Sequence, residues 1–267
     1  MSIRNLVYRA YQWHLAHQMD GRLLPQHIAV AMDGNRRWAR QKGFEDPGMG
    51  HRYGAQHLST LLEWAVRHKI HHVTVYLASS DNLRKRDASE IENLMQMIEI
   101  MIIERLELPQ SPWQLHVAGR LDDVPESTSR AILLACEKTS GRSDYHLNIA
   151  IGYDGQEEII KAIKTVLRNE AARGTDIWDL AGNLSAEDIT PHLYTSGRPD
   201  PDLIIRTSGE RRLSSFLLWQ ATGAELYFCD VYWPGFRYTD FLRALRAFGD
   251  RKRLQKLSEQ SDHDNHQ

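Results

Sequence analysis

The chain has 267 residues, with 33 Lys and Arg against 35 Asp and Glu, a formal net charge of −2 and 42% hydrophobic residues. That balance suits a globular protein that buries a core without disulfides or structural metals, and it excludes a general nucleic-acid binder, which carries a marked basic excess. Cys136 and Cys229 lack metal or redox spacing and read as free thiols of a reducing cytoplasm, and no apolar run approaches the roughly 20 residues of a membrane span.

In chain order, residues 1–24 lack the apolar core of a secretory signal. Ile3, Leu6, Val7, Ala10 and Leu15 follow helical spacing instead. Such a helix either packs on the domain body or makes peripheral contact with a membrane surface. Six strands are predicted after it: His27–Met32, Val73–Leu77, Gln114–Ala118, Leu147–Ile151, Leu203–Arg206 and Glu225–Phe228. Several are apolar on both faces and helical patterns separate them. This is the signature of a mostly parallel six-stranded α/β sheet flanked by helices, in one domain over 25–250. A polar tail, 251–267, is expected to fray.

One helical pattern differs from the others. Asp87 followed by Glu90 predicts a capping box, and the stretch to about residue 108 is apolar around most of its circumference. It reads as deep core or as the wall of an apolar cavity.

The first strand runs into Asp33, Gly34, Asn35, Arg36 and Arg37, with Arg40 just beyond. Ligands of open parallel sheets bind past the carboxyl ends of the strands, where Asp33 falls. Arginine forks and the free amides of a helix start favour phosphate, and Mg²⁺ takes one or two carboxylates together with substrate phosphates. The stretch reads either as a metal–diphosphate cradle or as a turn carrying surface salt bridges. A second strand end supports the cradle, since Leu203–Ile205 empties into Arg206, Thr207, Ser208, Gly209, Glu210, Arg211, Arg212 and Ser214. A third is Ser79, Ser80, Asp81, Asn82, Leu83, Arg84, Lys85 and Arg86.

These motifs resemble those of the cis-prenyltransferases, the undecaprenyl diphosphate synthase family, along nearly the whole chain. The resemblance rests on His27 to Ala39, on Gly50, His51, Gly54 and Ala55, on Ser79 to Leu83, on Gly152 to Gly155, on Arg206 to Gln220, and on Glu225 with Trp233-Pro234. It implies an α/β sheet around an apolar tunnel, and Mg²⁺-dependent condensation of isopentenyl diphosphate with an allylic diphosphate by a homodimer. Carried over by position, Asp33 and Glu225 hold the metal, and Asn82 and Ser79 stand where the carbon–carbon bond forms and a proton leaves. The allylic diphosphate rests on Gly34, Asn35, Arg36 and Arg37. Arg206, Arg212 and Ser214 take the isopentenyl diphosphate. Trp38, His51, Leu77, Ser80, Leu83 and Arg86 complete the substrate contacts, although Trp38 and His51 also have plain structural readings.

Some positions depart from the pattern. Leu83 stands for the usual tryptophan, Asp81 for a glutamate and Arg36 for a glycine, and the carboxyl-terminal R-x-G is only Arg253-Leu254-Gln255. Leu77 falls where long-chain members often carry a small residue. Together with Leu83, it resembles the short-chain Z-farnesyl diphosphate synthases, so a product near C15 from geranyl diphosphate is expected. The alternatives are a medium- or long-chain synthase, a non-catalytic partner subunit, and a relative using the cradle for irregular coupling.

Overall fold

The computed structural model describes residues 3–19 and 22–264. Six strands form one sheet: β1 (His27–Ala31), β2 (His72–Ser79), β3 (Trp113–Gly119), β4 (Tyr145–Tyr153), β5 (Leu203–Arg206) and β6 (Glu225–Phe228). Their order is β3-β4-β2-β1-β5-β6, and every neighbouring pair is parallel. The six predicted strands are therefore all present: β5 and β6 keep their predicted bounds, β1 stops one residue short at Ala31, and β2, β3 and β4 extend beyond their apolar runs at both ends. Chain direction across the sheet reverses at β1, which lies between β2 and β5. That reversal opens a crevice above the carboxyl ends of the strands.

The sheet's two faces differ in chemistry. Ile28, Val30, Val73, Val75, Leu147, Ile149, Leu203 and Ile205 point into the large core. Around them lie α1 (Ile3–His17), α2 (Asn35–Gln41), α3 (Gly48–Arg67), α4 (Ser80–Lys85), α5 (Ala88–Met101) and a final helix, Tyr238–Asp264. The opposite face carries Ala29, Ala31, Ala118 and Ala150, small enough for Phe216, Leu217 and Tyr153 to lie close against it. β1 and β5 are buried on both faces, which explains their unbroken apolar runs.

Three local expectations are revised. Asp87 occupies the N-cap of α5, but its side chain makes no cap hydrogen bond, and the Glu90 side chain lies beside His51 and Arg86. The apolar stretch after Asp87 does not continue as one α-helix. It widens into a π-turn at Ile102–Leu106, with Ile102 and Leu106 buried in the core and Ile103 outside. Finally, the tail does not fray at 251, since the last helix runs on to Asp264. Its residues there are mostly good helix formers, and Arg251 Nη1 donates to Glu225 Oε2 at 2.7 Å.

α1 packs on the body, as one of its two readings holds. Leu15 and Met19 are buried, and Arg246 Nη1 donates to Gln18 Oε1 at 3.2 Å.

Candidate active site

Because all strands are parallel, Ala31, Ser79 and Arg206 reach the same edge of the sheet, and the loops after them form one polar cavity of about 710 Å³. Six arginines line it: Arg36, Arg37, Arg40, Arg86, Arg206 and Arg212. Asp33 enters beside them from the β1 loop. Gly34 adopts φ +99°, and a Cβ there would lie 2.6 Å from the Tyr232 ring, so glycine is required to turn the chain into α2.

Arg206 is the pivot of the cradle. Its Nε donates to Asp33 Oδ2 at 2.7 Å, and its Nη1 donates to Ser214 Oγ at 3.0 Å and to the Arg212 carbonyl. Thr207 Oγ1 donates to the Asp33 carbonyl at 2.9 Å, locking the two strand ends together. Arg37 Nη2 donates to Ser208 Oγ at 2.8 Å, and Glu210 lies 3.4 Å from Arg37 and 3.2 Å from Arg212. Ser208 and Ser214 hold φ values of +74° and +56°, left-handed conformations that serines seldom adopt. Such backbone strain collects at functional loops.

On the other wall, Glu90 gathers three cavity-lining groups. It lies 3.3 Å from His51 Nε2, 3.5 Å from Arg86 Nε and 3.6 Å from Arg36 Nη1. Burial, reinforced by Arg86, lowers the His51 pKa, and burial also lowers that of Arg86. Arg86 Nε and Nη1 are buried without a hydrogen-bond partner in the structure. A guanidinium with idle donors beside a cationic cavity is suited to an incoming anion.

Ser79 Oγ caps α4 by accepting the Asn82 amide at 2.9 Å, which fixes Ser79 and Asn82 side by side at the cavity wall. Tyr76 stands behind them, its hydroxyl 3.2 Å from the Tyr153 carbonyl and 3.4 Å from Ser215 Oγ. From the cradle a narrow apolar cavity of about 30 Å³ continues inward. Leu77, Leu94, Ile98, Met101 and Trp233 bound it, and the Trp233 indole is tied to the Gly54 carbonyl at 2.8 Å.

Thirteen of the expected residues thus meet at the cavity: Asp33, Gly34, Asn35, Arg36, Arg37, His51, Leu77, Ser79, Asn82, Arg86, Arg206, Arg212 and Ser214. Four do not. Trp38 packs with Phe44 and Tyr53. Ser80 and Leu83 lie on the inward face of α4, buried behind the cavity. Glu225 begins β6 opposite Leu203, at the amino end of the parallel strands, about 10 Å below the level of Arg206 at roughly 3.3 Å per residue. There it binds Arg251 and Gln255. Tyr76, Glu90, Asp154 and Ser215 were not anticipated as site residues. Asp154 and Ser215 left a signal, since they fall within the matched segments 152–155 and 206–220.

The residues suit a magnesium ion shared with substrate. Among the described residues, no three histidine, cysteine or carboxylate groups come close enough to hold a metal by themselves. Asp33, however, offers a half-exposed carboxylate to a phosphate-sized cationic cavity, and Mg²⁺ completes its shell with phosphate oxygens and waters.

A parallel sheet whose strand ends bring arginines, hydroxyls and the Asp33 carboxylate together above an apolar slot has the architecture of an α/β enzyme with its site past the carboxyl ends of the strands. Comparison with known proteins agrees. The family described as "Putative undecaprenyl diphosphate synthase" matches residues 31–255. The chain is 48% identical to an isoprenyl transferase of Streptomyces fradiae, over 95% of this chain and 98% of the relative. It is 41% identical to a (2Z,6E)-farnesyl diphosphate synthase of Mycobacterium tuberculosis, over 94% and 96%. The structure of lavandulyl diphosphate synthase from Lavandula x intermedia, in complex with dimethylallyl diphosphate, superposes with a TM-score of 0.78 at 29% identity, covering 84% of this chain and 95% of that one. The chain belongs to the undecaprenyl diphosphate synthase family and is a cis-prenyltransferase.

Proposed function

We propose that the protein is a Mg²⁺-dependent, homodimeric short-chain synthase that condenses isopentenyl diphosphate with geranyl diphosphate to give (2Z,6E)-farnesyl diphosphate. The observation that carries the short product is the inner cavity. Its 30 Å³ corresponds to about one water molecule, and Leu77 stands at its entrance with Met101 and Trp233 beyond. A chain growing inward meets these side chains after few carbons.

Residue roles follow from the cradle. Arg36 and Arg37, with the α2 amides, hold the allylic diphosphate, while Arg206, Arg212 and Ser214 hold the isopentenyl diphosphate. Asp33 would hold Mg²⁺, which when bound neutralises charge on the departing diphosphate. The arginines supply the same stabilisation from fixed positions. Holding both partners beside an apolar slot keeps water from the allylic cation until the alkene reaches it. Ser79 and Asn82 face the place where the new bond forms and the proton departs.

The test is chromatography of dephosphorylated products from labelled isopentenyl diphosphate and geranyl diphosphate. One C15 product that requires Mg²⁺ is expected. A ladder reaching C50 would instead assign a long-chain synthase, and no turnover at all would assign a partner subunit. The likeness to lavandulyl diphosphate synthase keeps irregular coupling as a second reading, which NMR of the product separates.

A further inference from the structure

A second concavity, which shares no lining residue with the cradle, lies between α1, the end of α3 and the loop before the final helix. It encloses about 1110 Å³. Its floor is apolar and aromatic, with Trp64, Phe236, Ala16, Met19 and Leu24. Its rim carries Arg67, Lys69 and Arg237, all exposed. Among the described residues no carboxylate lines this groove and none forms an ion pair with these three cations. That is unusual in a chain with more acids than bases.

Arg67 ends α3 and Lys69 follows its C-cap, where the helix dipole favours cations on its own account. Arg237 comes from a different segment and has no such reason. It lies over the Tyr8 ring at 6.0 Å, as Arg67 lies over Tyr238 at 5.6 Å, so both guanidinium groups are held at the rim by aromatic faces. The outer side of α1 adds apolar surface, with Leu6, Val7 and Trp13 each more than 60% exposed. Pockets of about 300–1,000 Å³ hold a whole small ligand.

We propose that this groove is a binding site for an anionic amphiphile, with the apolar chain on Trp64 and Phe236 and a phosphate head between Arg67, Lys69 and Arg237. A chain long enough to lie along the groove and a doubly charged head match its two surfaces. The site stands independently of the reaction assigned to the cradle.

The test titrates the full-length protein, its cradle occupied by saturating isopentenyl diphosphate, with dodecyl phosphate below its micelle concentration, by calorimetry. A site is expected that weakens at least ten-fold in the Arg67→Glu/Lys69→Glu/Arg237→Glu variant. The three side chains are exposed, so the variant keeps its circular dichroism and its initial rate with isoprenoid substrates. Sedimentation with phosphatidylglycerol and phosphatidylcholine vesicles then identifies the source. Loss of phosphatidylglycerol binding by the variant assigns a bilayer headgroup, and soluble-probe binding without vesicle binding assigns a free amphiphile. Equal affinity of wild type and variant for dodecyl phosphate overturns the proposal. So does equal affinity of the wild-type site for inorganic phosphate, which needs no apolar floor. Because the readout is binding, an inactive cradle leaves this result interpretable.

Discussion

Arg206 Nε donates to Asp33 Oδ2 at 2.7 Å across the β5–β1 edge, and the two side chains differ sharply in exposure, 10% against 38%. Arg206 is anchored, with Ser214 Oγ and the Arg212 carbonyl accepting from its Nη1. Asp33 is held from one side and open on the other. The pair is therefore a built orientation device: the cation fixes the acid so that one oxygen faces the cavity.

Asp33→Asn keeps the shape of that device and removes its charge. Turnover with labelled isopentenyl diphosphate is expected to fall about 10²–10³-fold, the usual effect of deleting one preorganised electrostatic partner. The pair is partly solvated, so stability changes by less than about 2 kcal/mol. Undiminished turnover in a folded Asp33→Asn protein removes the cradle assignment.

Leu77→Ala opens the entrance of the inner cavity. Leu77 borders both the cradle and the apolar slot, so its loss enlarges the room for a growing chain without touching the arginines. Products longer than C15 should appear in the chromatogram while the affinity for isopentenyl diphosphate stays unchanged. An identical product profile would place the length stop deeper, at Met101 or Trp233.

The fold was largely legible because its strands are buried on both faces and read as runs, as β1 and β5 illustrate. The cradle was legible because cations and hydroxyls follow those runs immediately. Other features depend on orientation, which spacing does not encode. Ser80 and Leu83 look like neighbours of Ser79 and Asn82, but the first turn of α4 rotates them inward. Glu225 sits in a matching segment, but strand polarity puts it at the other end of the sheet. Glu90 reads as a capping residue because its real partners, Arg36 and His51, lie about 40–55 residues earlier in the chain and only the tertiary fold brings them close.

Gly50→Ala tests how tightly α3 is set against the β1 loop. A Cβ at Gly50 would lie 2.0 Å from the Asn35 carbonyl oxygen, a backbone atom that cannot step aside. The substitution must push α2 away from α3. A stability loss of roughly 2–3 kcal/mol in urea unfolding is expected, as for other overpacked sites. The KM for the allylic diphosphate should rise with it, because Asn35 starts the helix that holds that group. A midpoint unchanged within error would show that the loop accommodates the methyl group and is not the rigid support described.

The polar half of the alanine-rich sheet face predicts a pH limit on stability. His27, His72 and His116 are each pushed down to about 4, first by burial. For His72 the next causes are His27 and His146, and for His116 Arg198, so these neighbours add repulsion. His27 Nδ1 lies 2.7 Å from the Pro199 carbonyl, and its Nε2 lies 2.8 Å from Thr74 Oγ1, an arrangement that uses the neutral ring. His72 stacks on His146 at 4.7 Å, and His116 Nε2 lies 3.1 Å from His146 Nδ1. Asp202 and Asp200 act on His27 in the opposite sense but do not outweigh its burial. The folded pKa values lie below the unfolded value of 6.5, so between pH 6.5 and about 4 the unfolded chain binds more protons. Stability is complete above pH 6.5, declines as pH falls to about 4 and then stops declining on this account. For the fully buried His27 alone, the loss is on the order of 3 kcal/mol across that window. Urea midpoints measured from pH 7 to 5, above the main carboxylate range, should fall steadily, and His72→Gln/His116→Gln should flatten the slope. A midpoint constant down to pH 5 would mean that these imidazoles take up protons at the same pH in the native protein as in the unfolded chain, which overturns the account.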